Sequence, residues 1–345
     1  MTNRENFLNF IKGEHFERVP YSMSICEQLR KKLREWHGIE DYADYFDIPF
    51  RNAGIKSSEY PVDYKPYYIG KDVDFISEWG CGHKFGSVEH FTRFIPAMDN
   101  FTTIEEVNAF PLPDVLAPYR WEGVKERVQH LKDLDFVVMG NAVIDIFEPA
   151  WYLRGMENLL MDFYTQPDFA CACLDRIKNT KKVVAQRLAQ AGVDVIIYGD
   201  DVAMQTGMMM SPDIWREFLK PRLKEVLDAA HEVNPNCLCY YHTDGDARAI
   251  IPELIEIGVD ILNPVQPECM DPIEIYRKYK DKVAFWGGIG TQTTMPFGSV
   301  EDVKEKVSEL INLTKESGRF VIAPTHLLEP EVPLENIFAF VETLK

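Results

Sequence analysis

The chain has 345 residues, 46% of them hydrophobic, and carries 37 Lys and Arg against 55 Asp and Glu, a net charge of −18. That charge opposes non-specific binding to nucleic acid and to anionic membranes, although a local basic pocket can still take an anionic ligand. Seven cysteines, an odd number without a small-domain framework, predict a reduced, cytoplasmic protein, and the first twenty residues show no apolar leader.

A short amphipathic helix is predicted over 3–12, with Phe7, Phe10 and Ile11 on one side and Gly13 after it. Residues 18–23 are read as the first strand and 25–37 as a helix. Residues 41–118 are irregular and rich in Tyr, Phe, Pro and Asp; too aromatic for a linker, they predict an excursion that walls a pocket. Within it, 74–79 and 90–95 are expected to pair as a hairpin.

From Pro118 the rhythm becomes regular. Helices are predicted over 119–134, 156–164, 167–191, 212–233, 246–257, 272–280, 300–316 and 333–344. Strands are predicted over 136–140, 193–198, 237–241, 259–262, 283–286 and 320–323. The strands are continuous apolar runs, the pattern of strands buried on both faces. About eight strand candidates alternating with helices favour one closed (β/α)₈ TIM barrel, with the N-terminal aromatic-rich excursion, over two domains or an open sheet.

Active sites of such barrels lie where strands hand over to helices. Here those positions collect Asp200 and Asp201, His242 and Asp244, Asn263 and Gln266, Gly287 and Gly288, and Thr325 and His326. The stretch 237–246, CLCYYHTDGD, is the most informative. His242 and Asp244 are two residues apart, so on an extended chain both side chains leave on the same face. Histidine, Asp and histidine can supply three ligands to zinc, or do metal-free acid–base work. A strand-end Asp can equally cap the next helix, and Cys237 and Cys239 on a strand interior read as small core residues. Glu148, after the fourth strand candidate, is read on a surface loop from which it can reach the pocket.

From about residue 190 onward the sequence resembles the uroporphyrinogen decarboxylase superfamily. The resemblance rests on Gly199-Asp200-Asp201, MMMSP at 208–212, WREFLKP at 215–221, HTDGD at 242–246, GVDILNPVQP at 258–267, WGG at 286–288 and VPLENI at 332–337. It implies a (β/α)₈ barrel. Decarboxylases of this superfamily carry Met-Arg-Gln-Ala-Gly-Arg after the first strand. The matching place here, 19–30, reads VPYSMSICEQLR, with only Arg30 near. The corrinoid-dependent methyltransferase branch uses zinc on a His-x-Cys motif and a later Cys after the last strand. His242 stands at the His, Asp244 at the first Cys and His326 at the later one.

The resemblance therefore implies a zinc site of His242, Asp244 and His326, with Asp200, Asp201 and Glu148 as catalytic groups and Asn263, Gln266, Trp286 and Gly288 toward substrate. Exchange of thiolates for harder donors leaves more positive charge on the metal and favours an oxygen ligand. The expected reaction is O-demethylation, from a methoxylated aromatic donor to the cob(I)amide (reduced cobalamin type) of a separate corrinoid protein. A homodimer is compatible with this. One alternative is a decarboxylase of a carboxylated, uroporphyrinogen-like substrate, gripped by Arg30, Arg51, Arg93 or Arg154. Another is a non-catalytic corrinoid- or tetrapyrrole-binding protein.

Overall fold

The structure, a computed structural model, describes residues 1–86 and 92–345. Seven parallel strands form one sheet in chain order: β1 (Phe50–Ala53), β2 (Val137–Ile144), β3 (Val195–Gly199), β4 (Leu238–His242), β5 (Ile261–Asn263), β6 (Ala284–Ile289) and β7 (Phe320–Pro324). Beyond β7, Tyr21 and Ile25 bridge in parallel to Ile322 and Leu328. The N-terminal segment thus takes the eighth place, and helices cover the outside of the curled sheet. The fold is the expected α/β barrel.

Alternation along the strands builds two cores. Cys239, Tyr241, Leu262, Phe285 and Ile322 belong to the large core under the helices. Val137, Val195, Ile261, Ala284 and Trp286 belong to a second, inner cluster with Phe7, Phe10 and Ile11. Four of these strand residues open their strands or stand just inside them, so the helix Asn3–Lys12 plugs the N-terminal end of the barrel. Its start is fixed by a capping box between Thr2 and Glu5. Burial of each Phe contributes about 1.5–3 kcal/mol. Apolar side chains close the bottom, and the open, polar end is left at the strand C-termini.

Three expectations are corrected. Residues 18–23 contribute one isolated bridge, at Tyr21, and no regular strand. The first regular strand, β1, lies inside the stretch read as irregular, so the excursion is not continuous from 41 to 118. Four residues with Arg51 and Asn52 at the centre are too short and too polar to announce a buried strand. The expected hairpin is a three-stranded antiparallel sheet of Phe75–Ile76, Gly82–Phe85 and Thr92–Ile95. Its middle strand is the glycine-flanked piece read as a turn; His90 lies outside the described residues.

Helix ends also moved. Gly123 at φ 79° splits the helix predicted over 119–134 into a 3-10 turn and Val124–Asp133. A helix read as a loop, Phe147–Arg154, follows β2 and carries Glu148. The helix after β4 is only Ile251–Glu256, because Asp246 turns back to accept from the backbone N and guanidinium of Arg248. No helix among the described residues is long and apolar enough to cross a membrane.

Candidate metal centre

Strand register builds the site. Gly199 of β3 and Asn263 of β5 both pair with His242 at the end of β4. The residues following those strands therefore meet at one level of the barrel mouth. Gly245 makes the tight turn beyond: at φ 84°, a Cβ there would lie 2.6 Å from the Met204 carbonyl.

On such an extended stretch Asp200 and Asp201 point opposite ways. Asp200 is buried at 5% exposure and faces outward. Its oxygens accept from Ile146 N at 2.9 and 3.1 Å and from Glu148 N at 2.9 Å. Burial, then the Asp145 and Glu148 charges, push its carboxyl well above the ordinary range. The expected catalytic Asp200 is thus fully engaged in tying down the loop after β2. Asp201 faces the mouth, where its carboxylate accepts from Asp244 N at 2.8 Å.

Asp201, His242 and Asp244 converge. Each offers a donor atom, and all three lie within 4.8 Å of one another. His242 Nε2 is 3.7 Å from an oxygen of Asp201 and 3.7 Å from an oxygen of Asp244. Donors around a tetrahedral zinc at about 2.05 Å lie roughly 3.3 Å apart, so small side-chain adjustments would seat the ion. The tautomer supports this. Asn263 Nδ2 donates to Trp286 O at 2.9 Å, which turns its Oδ1 toward His242 Nδ1 at 2.5 Å. Nδ1 then carries the proton, and the Nε2 lone pair faces two carboxylates. That arrangement is repulsive until a cation, a metal or a proton, lies between them.

His326 stands apart from this compact set. It is exposed on the loop after β7, with its ring centroid 6.3 Å from that of His242. Among the described residues the compact set is thus Asp201, His242 and Asp244, with His326, expected in a trio with His242 and Asp244, beside it. The other expected contacts also have different roles. Asn263 orients His242. Trp286 packs inside the barrel against Phe7, Phe50 and Tyr240, far below the rim. Gly288 gives no side chain to the mouth: a Cβ there would strike Phe320 and Leu310 on the helix side. Gln266 is buried in the loop after β5, where its carbonyl accepts from Cys269 N and Met270 N. Cys237 and Cys239 are core thiols, and burial pushes Cys237 up to about 12.

Glu148 reaches the cluster from its helix. One oxygen accepts from Asp201 N at 3.3 Å and the other from Tyr152 OH at 2.5 Å. Burial, then the Asp201 charge, raise its carboxyl above the usual value. Tyr152 was not foreseen, yet its i+4 spacing from Glu148 on one helix was visible in the sequence. The four arginines named for a carboxylated substrate are placed elsewhere. Arg154 is buried on Asp162 and the carbonyls of Met98, Asp99 and Phe101. Arg51 pairs with Asp44, Arg30 bonds Ile25 O, and Arg93 is exposed on the small sheet.

The charges set a pH dependence. For His242, burial opposes protonation but the Asp244 and Asp201 carboxylates outweigh it, so its pKa is raised. Burial raises the Asp244 carboxyl as well. A carboxyl whose folded pKa exceeds its unfolded one destabilises the fold as pH rises through the raised value. Metal-free Asp244→Asn is therefore expected to melt about 1–3 °C above the metal-free parent at pH values above that point. The gap closes as pH falls into the ordinary carboxylate range. Melting curves in chelator across pH check this, and zinc is expected to reverse the order at neutral pH by stabilising the parent alone.

The sequence profile of the uroporphyrinogen decarboxylase (URO-D) family matches residues 73–345. The chain is similar to methylcobamide:CoM methyltransferase MtaA of Methanosarcina barkeri, with 30% identity over 157 residues, 46% of this chain and 43% of that protein. The protein of the same name from Methanosarcina barkeri (strain Fusaro / DSM 804) is 27% identical over the same shares. The chain thus spans less than half the length of the curated relatives it matches. A solved methyltransferase from Methanosarcina mazei shares the fold, with a TM-score of 0.70 over 99% of this chain and 98% of that one at 19% identity. The profile match takes in well over half of the sequence and its barrel strands from β2 to β7: the chain belongs to the uroporphyrinogen decarboxylase family.

Proposed function

We propose that the protein is a zinc-dependent methyltransferase that moves a methyl group from a methoxylated aromatic to the cob(I)amide of a separate corrinoid protein in the cytoplasm. The observation that carries this reading is His242 Nε2 aimed at two carboxylates, with Nδ1 held by Asn263. The similarity to methylcobamide methyltransferases supports the reaction class. A donor set of one imidazole and two carboxylates, without thiolate, supports an oxygen substrate.

Asp201, His242 and Asp244 would hold the zinc, with His326 beside them. Bound zinc supplies a Lewis acid that polarises an ether oxygen. The chain's residues do the rest. Asn263 fixes the imidazole plane. Asp244 N, donating to Asp201, fixes the second carboxylate. Glu148, held by Tyr152, stands behind Asp201 where it can return a proton to the departing oxygen. In the balanced reaction the methyl–oxygen bond breaks, its electron pair stays on oxygen, and the oxygen takes up a proton. The cobalt(I) pair forms the new cobalt–carbon bond.

The test is spectroscopic. Zinc-loaded protein, 2-methoxyphenol and cob(I)alamin are expected to give methylcob(III)alamin and catechol in equal amounts. Glu148→Gln is expected to slow turnover about 10²–10⁴-fold with its zinc retained. Absence of methylcobalamin with every methoxylated aromatic offered, from protein holding a full zinc, would refute the activity.

A further inference from the structure

A cleft of about 1290 Å³ opens beside the barrel mouth, between residues 55–83 and the helix that carries Glu148. It exceeds the roughly 300–1,000 Å³ of ordinary small-ligand sites. Asp201, His242, Asp244 and His326 do not line it. Tyr152 does, and Tyr152 with Glu148 forms the partition between the cleft and Asp201.

The lining mixes aromatic rings with charged side chains whose charges nearly cancel. Tyr64, Tyr68, Trp79 and Tyr152 contribute rings, and Phe75 stands at the lip, half exposed. Lys181 lies 4.4 Å over the Trp79 ring and pairs with Asp145. Arg120 pairs with Glu78 and Asp114. Five basic residues face four acidic ones in the cleft, although the chain as a whole carries −18. The metal mouth by contrast gathers carboxylates. The two sites therefore divide the chemistry: a cation belongs at the mouth, and an uncharged ring system belongs in the cleft. There the half-buried Trp79 and the exposed Phe75 offer ring surface, Tyr64 and Tyr68 being buried and Tyr152 already stacked on Phe94. A single methoxybenzene ring fills only a small part of this volume.

We propose that the cleft binds the body of an extended, uncharged aromatic ether of at least two rings, with its methoxy end directed past Tyr152 toward the metal cluster. This assignment rests on the methyl-transfer reading of the mouth and names its substrate class.

The test reads binding, without turnover, by titration calorimetry of the zinc-loaded full chain with a methoxylated diphenyl ether and with 2-methoxyphenol. The two-ring ether is expected to bind more tightly than the single ring. Trp79→Ala is expected to weaken it about tenfold, and Phe75→Ala by a smaller factor. Phe75 is exposed, so its loss leaves the fold intact even where Trp79→Ala does not. His242→Ala, which takes up no zinc, is compared with the parent in chelator and is expected to bind the ether within about twofold of it. Binding lost in His242→Ala but kept in both cleft variants would place the rings at the mouth and overturn the proposal. So would equal affinity for one and two rings, or no binding of either. Ether held in the cleft without methyl transfer counts against the activity and leaves the cleft assignment standing; methyl transfer by both cleft variants at parental KM counts against the cleft alone.

Discussion

Asp201→Ala and His242→Ala are each expected to strip the chain of zinc, whereas His326→Ala is expected to retain it with weaker affinity. Structural zinc sites are worth about 10–16 kcal/mol over four ligands, so one donor carries roughly 3 kcal/mol, or two orders of magnitude in affinity. Asp201 and His242 are members of the compact set. Removal of either leaves two protein donors of the set, too few to hold the ion against a chelator. His326 flanks the set at 6.3 Å between rings, where loss of a neighbouring group costs about 10–100-fold. Asn263→Ala belongs in the same experiment: it frees Nδ1, lets the imidazole turn, and is expected to lower affinity by about the same 10–100-fold. Zinc per chain after dialysis against graded chelator separates these cases. Full zinc in Asp201→Ala, with none in His326→Ala, would return the site to the trio expected from the strand ends.

Asp200→Ala is expected to destabilise the protein by about 3 kcal/mol. The carboxylate is buried and accepts from Ile146 N and Glu148 N. Its removal leaves two backbone donors buried without partners, and each unmet buried donor costs about 1–3 kcal/mol. The loop after β2 then loosens, and Glu148 with it, so zinc affinity and turnover fall as consequences. Asp200→Asn keeps one acceptor oxygen and removes a carboxyl whose raised pKa already opposes ionisation, so it is expected to lose much less than Asp200→Ala. Denaturation midpoints of the two variants, with zinc and in chelator, measure the effect. A variant that melts within about a degree of the parent yet loses turnover would show that Asp200 acts on substrate instead.

These two expectations turn on neighbours in the sequence, and they show where sequence reading stops. Apolar runs separated by amphipathic helices determined the barrel, because strands buried on both faces leave that pattern and few other architectures tolerate it. The strand ends determined which residues crowd the mouth, since chain direction alone assigns the polar end. His242 and Asp244 were legible as a pair for the same reason: two residues apart on an extended chain, they share a face. The amphipathic helix over 3–12 was legible from Phe7, Phe10 and Ile11, whereas its place as the barrel plug came from the packing.

Other assignments depended on through-space register. Nothing in Gly199-Asp200-Asp201 says which Asp turns inward; the pairing of Gly199 with His242 decides it, giving Asp201 to the cluster and Asp200 to the backbone of the loop behind. Asn263 was read as a contact for substrate, and only its position in register with His242 makes it the group that fixes the imidazole. Trp286 lies in a rim motif by sequence, yet alternation along β6 sends its ring into the barrel. β1 was missed because its four residues carry too little apolar pattern to be seen, and parallel pairing to β2, 87 residues on, supplies what the local sequence lacks. The sequence by itself determined the fold and the level of the barrel at which chemistry happens; the tertiary structure alone decided which side chains meet there, because strand register is set by packing between distant segments.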